Sequence, residues 1–426
     1  MEKKHIIIIG GGFGGLSVAH YLDKKKWAVT IIDRNNYHSF PPLFYQVASS
    51  GLEASSISFP FRRELRSRHY KGVDYHFGNV ERIDVATRTV TTQFETLHYD
   101  ILVLAAGSTN NFFGIPDLEK HVFTLKSTSQ AIRLRNEVLA RLERASLCRD
   151  DDLRRRLLTF VVVGGGPAGV EIAGALGELK RFVLPREYAS IDPAEMHVIL
   201  VEGSDRLLSA MSERSSADAA KALGQLMVEV HTGKTMKGYS DKVVTFDDGS
   251  SIAAETVVWT AGVTGEPIPM VGADVVPGRG GRYAVDEYNT VVGLDGVYAI
   301  GDIAMQEAEG YPRGLPQVAP VAMQQARCLA RNLNGAEADR RPFRYHNKGS
   351  MATVGRNRAV VDMGSMHLSG RVAWFVWMVV HLLSLLGMRN RTIVFINWVW
   401  SYVTFSSGLR LMLRPDRYPL RTYWKE

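Results

Sequence analysis

Two stretches of this chain set a glycine cluster ahead of a later acid at a spacing suited to a diphosphate. The first is Gly10-Gly11-Gly12-Phe13-Gly14-Gly15, which follows the apolar run His5–Ile9, and the next apolar run, Ala28–Ile32, ends in Asp33. On a strand-to-helix turn, Gly10-x-Gly12-x-x-Gly15 lets the backbone approach a pyrophosphate, and the helix N-terminus supplies free N–H groups and the positive end of its dipole. An acid roughly 20 residues on accepts a hydrogen bond from a ribose hydroxyl. The second stretch is Phe160–Val163 followed by Gly164-Gly165-Gly166-Pro167-Ala168-Gly169, with the next run, His197–Val201, ending in Glu202. Glu202 favours a ribose 2′-hydroxyl and repels a 2′-phosphate, and the neighbouring Gly203 offers no cation, so NADH is expected over NADPH. The plain alternative is a pair of glycine turns with no ligand, and the strand, helix and acid accompanying each motif weigh against it.

Two further acids stand where chemistry is expected. Glu171 lies two residues past the last glycine of the second motif, in the first turn of the helix and directed toward a bound nicotinamide. Its ordinary reading is charge complementarity at a helix N-terminus, worth a few tenths to about 1 kcal/mol. Asp302 ends the buried-strand pattern Gly296–Asp302, and the ordinary reading there is a helix cap. The histidines show no HxH or HExxH spacing, so no metal is expected. Cys148 and Cys328 are far apart, with no CxxC, which suits a reducing compartment.

The elements that must hold these residues repeat: strand, glycine turn, helix, strand, twice. Val122–Arg156 reads as helical, with the charged run Arg149–Arg156 as linker or helix start. Val243, Val244 and Phe246 lead into the hairpin signal Asp247-Asp248-Gly249, and a small β element is expected after each nucleotide unit. Val318–Asn332 reads as a helix. The expected fold is α/β, with two Rossmann-like dinucleotide-binding domains, the second inserted in the first. The boundaries are 1–120 with 290–370 for the first, 155–289 for the second, and 371–426 for a C-terminal amphipathic membrane-binding segment.

At 426 residues, 46% hydrophobic and 22% charged, the chain has the composition of a folded multi-domain protein. The N-terminus runs straight from Lys4 into the first strand pattern and reads without a signal peptide. Of the net charge of +7, most sits in the tail, where Arg371, Arg389, Arg391, Arg410, Arg414, Arg417, Arg421 and Lys425 face only Asp416 and Glu426. The tail also holds the apolar runs Ala373–Leu386 and Ile393–Phe405, both short of the roughly 20 residues that cross a bilayer. Trp374, Phe375, Trp377, Trp398 and Trp400 suit a lipid interface, so these runs read as helices lying on an anionic membrane surface. A homodimer interface is the other use of such faces, and nucleic acid is not expected.

Taken together, the paired fingerprints, Asp33, Val103-Leu104-Ala105-Ala106-Gly107, Thr260-Ala261-Gly262 and Gly301-Asp302 resemble the pyridine-nucleotide:disulfide oxidoreductase superfamily. The redox cysteines of its disulfide reductases are missing. The resemblance narrows to type II NADH:quinone oxidoreductases, through Asp33-Arg34-Asn35-Asn36-Tyr37-His38, Phe40-Pro41-Pro42-Leu43-Phe44-Tyr45-Gln46, Gly169-Val170-Glu171-Ile172-Ala173-Gly174, Ala319-Pro320-Val321-Ala322-Met323-Gln324 and the tryptophan-rich basic tail.

That resemblance implies FAD at the first motif, with Gly10, Gly12, Phe13, Gly14, Gly15, Asp33, Arg34, Pro41, Ala106, Gly107 and Asp302, the last on the ribityl chain. It implies NADH at the second, with Gly164, Gly166, Pro167, Gly169, Glu202, Ala261 and Gly262. Glu171 and Gln324 are the implied catalytic residues, and Tyr45, Gln46, Gln317, Ala319 and Gln324 the implied contacts to a membrane quinone, ubiquinone or menaquinone. Pro320 stands where the family motif carries its first glutamine. The implied activity is hydride transfer from NADH to FAD and then two electrons to the quinone, without proton pumping, at the cytoplasmic face of the cell membrane as a peripheral enzyme. Its rivals are an NADH reductase for a soluble acceptor such as ferredoxin or rubredoxin, and a membrane-docked redox sensor.

Overall fold

The computed structural model describes residues 3–404 and 409–412, with 401–404 by backbone alone. The chain forms two compact units: 1–39, 58–111 and 263–348 make the first, and 40–57, 112–262 and 349–426 the second.

In the first unit, five parallel strands stand in the order Val297–Ala299, Ile101–Leu104, Lys4–Ile9, Trp27–Asp33, Val73–Phe77. Ile6, Ile7 and Ile8 in the central strand are wholly buried, which is why that strand reads as an unbroken apolar run. Helix Phe13–Tyr21 follows the first strand, and helix Ala319–Asn334 packs against it. An antiparallel sheet, Val80–Asp84, Thr89–Thr92 and Thr96–His98, gains Met270–Val271 at its edge.

The second unit repeats the plan with four parallel strands, Val228–His231, His197–Val201, Thr159–Val163 and Thr256–Trp259, and helix Pro167–Glu178 after the glycine turn. The expected hairpin is the middle of a three-stranded sheet, Met236–Ser240, Val243–Phe246, Ser251–Ala253. Helices Thr128–Leu147 and Asp151–Leu157, capped by Ser127 and Asp150, occupy the stretch read as helical. A second antiparallel sheet, Ser350–Thr353, Ala359–Met363, Met366–Ser369, leads into helices Gly370–Ser384 and Met388–Thr404.

These units do not follow the boundaries drawn from the sequence. Val263–Gly265 pairs with Ser108–Asn110, which returns the chain to the first unit after Gly262 instead of near 289. Residues 349–370 belong to the second unit because their sheet packs on helix Pro167–Glu178. Segment 40–57 joins it too, its helix Phe44–Ala48 packing on helices Thr128–Leu147 and Pro167–Glu178.

The C-terminal helices bear an exposed apolar face of Val372, Phe375, Leu383, Phe395, Ile396, Val399 and Trp400. Trp377 and Trp398, expected at the lipid interface, are instead buried, 1% and 8% exposed. They face inward, where Trp377 packs edge-on against Tyr45 and against Trp398, and the Trp398 indole N–H donates to Gln46; on the first helix His381 stacks on Trp377 and donates from Nδ1 to the Trp377 carbonyl. Among the described residues no helix is long and apolar enough to cross a membrane. Arg414, Arg417, Arg421 and Lys425 lie outside the described residues.

Candidate functional site

In the first unit, Asp33 closes the glycine turn, its Oδ2 accepting the Gly11 N–H at 2.7 Å and its Oδ1 the Asn35 N–H at 2.7 Å. Burial nonetheless holds its carboxyl above the usual aspartate range. His38 donates from Nδ1 to the Gly11 carbonyl at 2.9 Å, and burial lowers its pKa to about 4, so the imidazole is neutral there. A side chain at Gly15 would meet the Gly10 carbonyl at 1.9 Å, so only glycine permits this closeness of helix and turn. At Gly12, by contrast, a Cβ would meet no protein atom within 4 Å. That room lies at the N-terminus of helix Phe13–Tyr21, which has no side-chain cap and no acid in its first turn.

The second unit reproduces the geometry. Glu202 accepts the Gly165 N–H at 2.5 Å and the Ser204 N–H at 2.7 Å. A Cβ at Gly169 would meet the Gly164 carbonyl at 1.8 Å, and one at Gly166 would meet nothing within 4 Å. Gly166 is the uncapped N-terminus of helix Pro167–Glu178. The Ala-Gly pairs that follow strands Ile101–Leu104 and Thr256–Trp259 also correspond. A Cβ at Gly10 would strike the Ala105 carbonyl and approach Ala106, and one at Gly164 would strike Ala261 and Thr260, so Ala105 and Ala106 wall the first turn and Thr260 and Ala261 the second. Unfilled space before an uncapped helix, with a held carboxylate beside it, fits a dinucleotide in both places.

Other expected residues have partners of their own. Asp302 accepts the Ser108 hydroxyl at 2.5 Å within a tight turn, not at a helix cap, and Gln317 donates to the Asp302 carbonyl at 3.0 Å. Arg34 pairs with Glu266 at 2.9 Å. Ala319 begins the helix on which Gln324 sits. The Gln324 amide exchanges two hydrogen bonds with the His346 backbone, both 3.0 Å, while the adjacent Gln325 is buried, accepting the Gly301 N–H and donating to Gln306.

Within the second unit, Glu171 is buried, and burial pushes its pKa up to about 8; the Thr353 N–H, 3.4 Å away, opposes this only in part. The Thr353 hydroxyl and the Gln46 amide both donate to the Tyr45 oxygen, each at 2.9 Å. Burial raises the Tyr45 phenol, and the nearby Glu171 adds to the effect. Pro41 opens the turn that leads into the Tyr45 helix. Tyr45 and Gln46 line a cleft with Phe182, Arg356, Trp374 and Trp398. Thr353 and Trp398 gave no sign of this role in the sequence, since each meets Tyr45 or Gln46 from more than 300 positions away. Among the described residues no His, Cys, Asp or Glu cluster suits a metal.

Paired cradles of this form, each with a strand-end acid, define a two-dinucleotide oxidoreductase. The family model described as pyridine nucleotide-disulphide oxidoreductase matches residues 4–326, and that of the NDH2 C-terminal domain matches 347–404. The type II NADH:quinone oxidoreductase NdhA of Mycobacterium tuberculosis is 34% identical over 424 residues, covering 95% of this chain and 88% of the relative. The internal alternative NAD(P)H-ubiquinone oxidoreductase A1 of Solanum tuberosum is 30% identical, covering 94% and 87%. In fold, the chain matches NDH2 from Plasmodium falciparum, solved with NADH, at a TM-score of 0.88, 20% identity, and 97% and 100% coverage. The chain belongs to the type II NADH:quinone oxidoreductases of the pyridine nucleotide-disulphide oxidoreductase family.

Proposed function

We propose that this protein oxidises NADH through FAD and reduces a membrane quinone, with the site residues in the roles that follow. The observation that carries the reading is the pair of equivalent cradles in one chain whose two cysteines, Cys148 and Cys328, are free and distant in sequence. Bound FAD supplies the two-electron chemistry, accepting hydride from NADH and passing both electrons on.

The chain binds, orients and shields. The N-termini at Gly12 and Gly166 hold the pyrophosphates, and Asp33 and Glu202 accept from ribose hydroxyls. Ala106, Gly107, Ala261 and Gly262 lie along the bound nucleotides, Ala106 and Ala261 packing beside Gly10 and Gly164. Asp302 is the ribityl acceptor, placed by Ser108 and Gln317. Glu171 holds a proton at neutral pH and orients the nicotinamide as an uncharged group. Tyr45, Gln46, Gln317, Ala319 and Gln324 contact the quinone. The hydride brings two electrons and one proton; the quinol takes its second proton from solvent.

The exposed apolar face of the C-terminal helices favours a peripheral membrane enzyme over a reductase for a soluble protein, and the cytoplasmic face is the side we propose for it. The decisive experiment bleaches the flavin spectrum anaerobically with NADH and then adds quinone or ferredoxin. Reoxidation by quinone alone is expected, and reoxidation by ferredoxin alone overturns the acceptor. Flotation with anionic liposomes, lost on truncation before Arg371, is expected; a truncated, flavin-loaded protein that still floats refutes the membrane reading, and sizing reports any homodimer lost with it.

A further inference from the structure

The C-terminal helix Met388–Thr404 is tied to segment 40–57 by the polar contacts of two side chains. Asn390 donates to the carbonyls of Ser55 and Ser56, each at 3.2 Å, and the Trp398 indole N–H donates to the Gln46 carbonyl oxygen at 2.8 Å. The second contact has a chemical direction. An indole nitrogen only donates, so the Gln46 amide must turn its oxygen to Trp398 and its NH₂ to Tyr45. Tyr45 then accepts from Gln46 and from the Thr353 hydroxyl, which occupies both lone pairs of the phenol oxygen. The one hydrogen-bonding function left to Tyr45 is its own O–H, on a ring that lines the cleft.

We propose that Trp398 is a positioning residue for the quinone half-reaction: by fixing the Gln46 amide it commits Tyr45 to donate its O–H to a quinone carbonyl oxygen. This rests on the reading of Tyr45 as a quinone contact. A carbonyl oxygen only accepts, so a phenol free to alternate between donor and acceptor serves it less well than one held as a donor. In Trp398→Phe the Gln46 amide loses the group that fixes it and rotates, its oxygen then captures the Tyr45 proton, and the donor is withdrawn from the substrate. The ring at 398 and most of its packing remain.

The test uses flavin-loaded protein and a short-chain benzoquinone, with three measurements: quinone Kd for the oxidised enzyme by calorimetry, flavin reoxidation by quinone in stopped flow, and flavin reduction by NADH. Tyr45→Phe and Trp398→Phe are each expected to raise the quinone Kd roughly three- to tenfold, the range for one neutral hydrogen bond, and to leave reduction by NADH unchanged. The double variant is expected to be no worse than either single one, because both remove the same donor. Asn390→Ala breaks the other tie of the same helix and separates a loosened helix from a lost donor; its effect on Kd is expected to be small and to add to that of Tyr45→Phe. Additive losses for Tyr45→Phe and Trp398→Phe, or a loss in Asn390→Ala as large as in Trp398→Phe, overturn the positioning role. If Trp398→Phe raises the Kd and Tyr45→Phe does not, Tyr45 is not the donor and the quinone-contact reading of that residue falls with it.

Discussion

Replacing Glu171 by glutamine removes a proton that the fold holds unusually tightly. Its pKa stands at about 8 in the folded chain against 4.5 for the free side chain, with burial as the cause. Between about pH 5 and 7.5 the folded state therefore binds one proton more than the unfolded state, so stability falls as pH rises, opposite to the behaviour of an ion-paired carboxylate. Each unit of pH costs about 1.4 kcal/mol, or about 3 kcal/mol over this window. With an unfolding entropy of about 2 cal/mol/K per residue, a chain of this length converts that into a melting shift of roughly 3–4 °C. Water entering an ionised pocket makes the figure a ceiling. Glu171→Gln keeps the shape of the neutral acid and does not titrate, so its melting temperature is expected to decline less across the window by that amount. Thermal melts of both flavin-loaded proteins at one scan rate give the comparison. Parallel pH dependences would show that Glu171 is already ionised at neutral pH, and the orienting role given to its neutral form would go with it.

Gly166→Ala is expected to fold and load flavin normally, since its Cβ meets no protein atom and its φ of −71° suits alanine, yet to raise the KM for NADH about tenfold by filling the nucleotide's room. A change in NADH oxidation no larger than that of a surface variant would empty that cradle. Glu202→Gln combined with Gly203→Arg should move the NADPH-to-NADH ratio of kcat/KM toward NADPH by one to two orders of magnitude, about 1.4 kcal/mol each; an unmoved ratio places the ribose elsewhere. Gln324→Leu is expected to slow flavin reoxidation by quinone and spare reduction by NADH, and equal slowing of both in stopped flow would leave Gln324 only its link to His346.

The nucleotide units were legible because their physics is local. Glycines that allow a 1.8–1.9 Å virtual contact, and acids that return to the glycine loop from the next strand, leave a fixed spacing in the chain. The unit boundaries were less so, since whether Val263–Gly265 pairs with Ser108–Asn110 depends on a partner about 150 residues away that no periodicity announces. The tail was misread in one respect for a similar reason. Tryptophan has the same amphipathic ring whether it meets lipid or a protein amide, and only the position of Gln46 assigns Trp398 to the interior. Between Gln324 and Gln325 the sequence offered no choice of which is buried; the helix turns Gln325 toward the Gly301 N–H, and that decides it.

The strand order of the first sheet also bears on how the chain is made. Ile101–Leu104 lies between Lys4–Ile9 and Val297–Ala299, so one side of it has no partner until nearly 200 further residues have been synthesised. At ribosomal rates of about 5–20 residues per second, that edge of Leu102, Val103 and Leu104 stays open for roughly 10–40 s. An unpaired apolar strand edge templates pairing with other chains. Expression in a host that translates quickly, or at low temperature where aggregation slows, should therefore favour soluble product, and a nascent chain stalled before residue 297 is the form most in need of a chaperone.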